Sequence, residues 1–329
     1  MYQTIKTLAL GSALFVATAT TSFASEVFFT EIPLDVYGTS LAVSENGVVA
    51  LQSGSTAYKW TSTNGLVSLG YVGDVNLTMF KTDISNNGEV VLFPAERSVF
   101  KGLEQQDVSG LIPYSISADG SALVGRESDA SYPAMMSLTD KTITRNPNSD
   151  LQGLISSDIS TDGNVKLIVE TSGYGLRLGR YLAYADGSTQ SIDGQLSHAM
   201  SLSGDGLSVI GSNYCENGPY FLSICAGLWT SDNQYIELGE FSAGAVNYDG
   251  SIVIGNGNQH GAVVWDSING VRALSDVLTA KGIDISGWSG LILHDISGDG
   301  TYLVGSGTSP SGVVHGFLVS VLPQCSVGL

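Results

Sequence analysis

The chain has 329 residues, with 31 Asp and Glu against 13 Lys and Arg and a formal charge of −18. That acidic excess excludes the clustered cationic surface that nucleic acid or an anionic membrane demands. It fits a protein kept soluble and monomeric by its own charge.

Residues 1–24 read as a secretory leader. Lys6 precedes the apolar run Leu8–Ala17, and Ser22-Phe23-Ala24 has the small-x-small form of a cleavage site. The run is shorter than the roughly 20 residues that span a bilayer, and no second long apolar segment follows it. The sequence therefore predicts export and no integral membrane segment in the mature chain. Removing the leader takes away one lysine and no acid, so the mature chain is one unit more negative.

Residues 25–325 read as a single domain, with 326–329 as a tail. The first element, Glu26–Leu34, is a lone strand. Then a short pattern recurs seven times: a Ser or Asn followed three residues later by a Gly that opens an apolar β-forming run. The seven copies are Ser44–Gly47, Ser85–Gly88, Ser117–Gly120, Ser160–Gly163, Ser203–Gly206, Asn247–Gly250 and Ser297–Gly300. Their mean spacing of about 42 residues is that of a four-stranded propeller blade.

Each copy predicts a tight hairpin between strands a and b, with Asn-Gly or Asp-Gly in a type I′ turn. Strand b carries a second Gly five residues after the first in four copies (Gly125, Gly211, Gly255, Gly305), a mark of a bulge or a close backbone approach. Strand c ends at Trp60, Trp229 and Trp265 in three copies, which predicts aromatic packing between blades. The last repeat reaches only strand c, at Val314–Val319, so the spare N-terminal strand is expected to complete it and remove two exposed sheet edges. The fold class is all-β, a seven-bladed propeller closed by its first strand. An open array and rings of six or eight blades are the alternatives.

Cys215 and Cys225 flank the longest connection between a strand b and a strand c, and export favours a disulfide between them. Cys325 stands beyond the last strand. Apolar spacing at Leu274, Val277 and Leu278 predicts a short helix stopped by Gly282.

The hairpin with its Val-Gly strand end, the Leu-Gly pairs at 69–70 and 238–239, His260-Gly261-Ala262 leading to Trp265, and His315-Gly316-Phe317 together resemble the bacterial extracellular repeat family named for its His-Ala-Phe motif, the HAF repeats. The resemblance covers roughly residues 37 to 323. It implies an exported, often surface-associated protein, frequently an autotransporter passenger, with no established chemistry.

Motifs that carry chemistry are sparse. His198, His260, His294 and His315 lack ligand spacing, and the recurring Asp119, Asp162, Asp205, Asp249 and Asp299 follow the hairpin rather than a calcium loop, so no metal or cofactor is expected. There is no Gly-x-Ser-x-Gly elbow, phosphate loop or Cys-x-x-Cys pair. The leading expectation is a non-enzymatic exported binding module for a protein or a carbohydrate. A propeller hydrolase or lyase acting on a polysaccharide or peptide is the alternative, and a structural envelope component stands third. If strand a is innermost, the b–c and d–a connections share one face. That face gathers Arg126, Tyr132, Tyr174, Arg177, Tyr214, Tyr220, Trp288 and His294 as candidate binding residues.

Overall fold

A computed structural model describes residues 27–36, 40–73, 81–93, 97–146, 151–171, 177–192, 196, 198–215, 224–257 and 261–320. The leader, the tail, Tyr174, Tyr220, His260 and Cys325 lie outside them.

Seven antiparallel four-stranded sheets follow one another along the chain. Their inner strands are Ala42–Val43, Asp83–Ile84, Leu111–Ile116, Ile155–Ile159, His198–Leu202, Ser242–Val246 and Ser289–Ile296, which begin blades 1 to 7. Blades 1 to 6 each use four consecutive strands; blade 7 adds Phe28–Asp35 to Val314–Ser320, as the spare strand predicts. Glu31 reaches across this closure to His315 Nδ1, 2.5 Å away.

The a–b turns owe their shape to the recurring Ser. In blade 3 the Ser117 hydroxyl donates to Asp119 Oδ1 at 2.7 Å and accepts from the Ala122 amide at 2.9 Å, while the Gly120 amide donates to the Ser117 carbonyl. The same bonds recur at Ser160, Ser203 and Ser297. These turns differ from the type I′ geometry that the Asp-Gly pair predicts. Only the Gly takes positive φ, 71° at Gly120, and the preceding Asp does not. The Ser-held carboxylate keeps the Asp on the ordinary side of φ, leaving the left-handed residue to Gly.

The second Gly of strand b answers a bulge in strand a. In blades 3, 4, 5, 6 and 7 the register slips by one residue, at Tyr114, Ser157, Met200, Gly244 and His294. A Cβ on Gly125 would lie 1.9 Å from the Ile112 carbonyl oxygen, and one on Gly211 2.0 Å from that of His198. Strand b runs on beyond this Gly instead of leaving the sheet, ending at Glu127 in blade 3.

Apolar clusters fill the seams between blades. Trp229 is fully buried against blade 4 residues Leu167 and Leu182, and Trp60 is 6% exposed, whereas Trp265 is only half-buried. The helix Leu274–Ala280 packs Leu274 and Leu278 into the seam between blades 6 and 7, and Gly282 follows it at φ 77°. No helix among the described residues is long and apolar enough to cross a membrane.

Candidate functional site

The inner strands face a central channel, and three of them carry an aspartate two residues before the turn: Asp83 in blade 2, Asp158 in blade 4 and Asp295 in blade 7. Each reaches the next blade. Asp83 Oδ2 accepts from the Ser115 hydroxyl at 2.8 Å and the Ile116 amide at 2.7 Å. Asp158 Oδ2 accepts from the Ser201 hydroxyl at 2.8 Å and the Leu202 amide at 2.9 Å. Asp295 Oδ2 accepts from the Val43 amide at 3.0 Å. The acids are therefore clasps between neighbouring blades, each satisfying a backbone N–H that would otherwise face the channel.

Their protonation is shifted by confinement. Burial first, then the negative charge of Asp158, pushes the Asp83 carboxyl up to about 6. Burial pushes Asp295 up to about 7 against the opposing pull of Val43 and Lys81. Ser115 Oγ also lies 3.2 Å from Asp158 Oδ1, so one hydroxyl proton stands between two carboxyl groups. Lys81 spans the channel from blade 2 to the Gly244 carbonyl of blade 6. Burial and, secondarily, Lys81 hold the His294 imidazole down to about 4, neutral at ordinary pH, and its Nε2 lies 2.8 Å from Ser306 Oγ.

The channel cavity between Lys81 and Tyr248 measures about 150 Å³. Backbone bonds among the a–b turns close one end, from Glu45 to Asn86, Asn86 to Ala118, Thr161 to Gly204 and Tyr248 to Gly298. Two glycines permit this: a Cβ on Gly204 would meet Tyr248 Cδ2 at 2.6 Å, and one on Gly298 Glu45 Oε1 at 2.7 Å. The space is large enough for a few waters or a small ion-sized group, and lies below the roughly 300 Å³ of common ligand pockets.

The candidate residues from the sequence spread over several blades. Arg126 is the next-to-last residue of strand b of blade 3, and Tyr132 lies in the connection that follows, its ring under the Arg145 guanidinium at 4.7 Å. Tyr214 ends strand b of blade 5, 57% exposed, beside the Cys215–Cys225 disulfide, which is formed. Arg177 opens strand c of blade 4, its backbone paired with Thr171. Trp288 enters blade 7 and packs edge-on against Phe29 and Phe317, with centroids 5.1 and 5.9 Å away, so much of its ring serves the closure. His294 lies deeper, against Ser306. A larger cleft of about 750 Å³ opens beside the helix, floored by Trp288, Ile283, Ile285 and Leu291. Among the described residues no group of three or more His, Cys, Asp or Glu is arranged to hold a metal ion.

The channel acids were readable as a threefold Asp-Ile-Ser, at 83–85, 158–160 and 295–297. Sequence reasoning passed over them because it attended to the Ser-to-Gly turn one step later.

No protein-family model matches the chain, and no curated protein matches it. Several solved structures are similar. A hydrazine synthase of Kuenenia stuttgartiensis shares 12% identity over 92% of this chain and 99% of its own, with a TM-score of 0.52. An oligogalacturonate lyase in complex with manganese shares 14% over 90% and 91%, at 0.53. The β-propeller domain of Myceliophteria thermophila Cps50 (Swd1) shares 10% over 90% and 100%, at 0.51. At such identities the likeness is one of fold.

Proposed function

We propose that the protein is an exported, non-enzymatic binding module of the HAF-repeat kind, which holds a protein or a carbohydrate on the face formed by its b–c and d–a connections. The observation that carries this reading is the state of the channel. The three acids nearest the axis are bonded to the next blade, and the cavity between them is about 150 Å³. A rigid hub of this kind leaves the loops to make contacts. Exposed Tyr214 offers one aromatic platform and the cleft over Trp288 another. The leader motif supports export.

A hydrolase or lyase is the second reading. Its support is Asp83 and Asp295, carboxyls drawn up to about 6 and about 7, where an acid or base catalyst works near neutrality. Against it stand the backbone amides on those oxygens and a space too small for a polymer.

A glycan and protein array run beside a turnover screen on the mature protein separates the two. Retained ligand without product, lost in Tyr214→Ala at unchanged melting temperature, is the expected result. Turnover that Asp295→Asn abolishes would overturn the binding reading.

A further inference from the structure

One seam departs from the other six. In every blade the last apolar residue of strand a pairs with a fixed strand-b residue: Val49, Val91, Leu123, Lys166, Val209, Val253 and Leu303 in blades 1 to 7. The six apolar members are all 0% exposed. Blade 4 alone puts a lysine there, and the strand-c partner, Trp in blades 1, 5 and 6, is Ala183. On the same strand a, the residue before the bulge is Pro113, Ala199, Ala243 or Leu293 in other blades and Ser156 in blade 4. Two positions on the flank toward blade 3 that are apolar in other blades are therefore polar here, and the strand-c partner is small.

The result is a cleft of about 200 Å³ between blades 3 and 4, lined by Met135 and Arg145 on one side and by Ser156, Lys166, Tyr184 and Asp186 on the other. Its polar groups are under-used. Lys166 Nζ donates to the Gly163 carbonyl at 3.2 Å and has no carboxylate within ion-pair range among the described residues. Burial lowers its pKa, and the negative charge of Asp162, beyond ion-pair range, opposes that shift without cancelling it. Ser156 is 1% exposed and its hydroxyl has no partner. Arg145 pairs with Glu127 at 2.7 Å but remains 47% exposed, and a guanidinium has five donors. Asp186 is occupied by the Ser188 amide and hydroxyl, at 2.9 and 2.6 Å.

We propose that this cleft is a binding site for an oxyanion, the carboxylate, phosphate or sulfate group of a ligand, which pairs with the Lys166 ammonium, accepts the Ser156 hydroxyl proton and meets the Arg145 guanidinium at the mouth. A half-buried cation and an orphaned hydroxyl in one cavity both cost stability, and a single anionic group satisfies both. The site is independent of the loop-face reading and would stand if that reading fell.

Calorimetric titration of the purified protein with inorganic sulfate, phosphate and acetate at constant ionic strength tests it. Wild type is expected to bind at one site. Lys166→Val, which restores the residue type of the other blades, should bind about 10- to 100-fold more weakly yet melt at a higher temperature without anion. Lys166→Met, closer in volume, repeats the test should valine leave a void. Ser156→Ala should weaken binding less. Preference for acetate assigns a carboxylate ligand, and preference for sulfate or phosphate an ester. Absence of binding by wild type, or undiminished binding by both Lys166 variants, would overturn the site.

Discussion

The seams on either side of blade 4 are built on opposite terms. Toward blade 5, Trp229, Val209, Leu167, Leu182 and their neighbours form one apolar cluster, Asp158 clasps Ser201 and Leu202, and the turn amide of Thr161 reaches Gly204. Toward blade 3, the cluster shrinks to Leu151, Ile168 and Ala183 with Leu154 and Tyr181 beside it, and Lys166 takes the core position. Bonds across that seam include the 3.2 Å approach of Ser115 to Asp158 and the Gly153 amide on the Ser131 carbonyl. A repeated scaffold thus tolerates one seam that packs poorly, provided its neighbours pack well. Such a seam is where ligand chemistry can be placed without rebuilding the ring.

The contrast is sharpest for the largest side chain. Trp229→Ala should cost about 3–5 kcal/mol in chemical denaturation, because the void opens inside a closed cluster. A loss below about 1 kcal/mol would show that the seam between blades 4 and 5 is not held by packing.

Next comes the position under the bulge. Gly211→Ala forces a Cβ to 2.0 Å from the His198 carbonyl and should cost about 1–3 kcal/mol or more. Blade 4 carries Ile168 opposite Ser156 at the same register, and Ile168→Val should cost only about 0.5–1.5 kcal/mol. Equal losses at the two sites would erase the distinction between the blades.

The last contrast is in pH. Asp83 and Asp295 have folded values of about 6 and about 7 against an ordinary 3.8. The folded state therefore binds protons more tightly than the unfolded chain, and the stability this gives is fully present below about 4 and lost as pH rises through 6 to 7. Turn acids such as Asp162 and Asp249 are held below their ordinary value, so their contribution is lost as pH falls below that range. Melting temperature should peak in mild acid and decline toward neutrality, the direction set by the two raised channel acids. Asp295→Asn should flatten the decline; a profile identical to wild type would detach Asp295 from it.

Much of the fold was legible because the turn chemistry repeats: a Ser that caps an Asp and a Gly that alone takes positive φ mark the a–b hairpins, and a Gly under the bulge marks four of the blades, without any knowledge of long-range pairing. The helix at Leu274 and the pairing of the first strand were readable for the same local reasons. Lys166 was not, since a lysine in a strand reads as a solvent-facing residue until the register aligns it with six buried aliphatic residues. Ser156 and Arg145 were invisible for the complementary reason, that their shared cavity belongs to two repeats at once.

Closure by the first strand has a consequence for how the ring is made. Glu31 and His315 meet across 284 residues, so blade 7 lacks its outer strand until the C-terminal repeat has been synthesised. While a ribosome is still at work the nascent chain can assemble interior blades but holds Phe28–Asp35 in reserve, with nothing to pair against. Contacts of such sequence separation are slow to form. Assembly is thereby weighted toward the end of synthesis, and until that last pairing the waiting strand is the segment most exposed to the wrong partner.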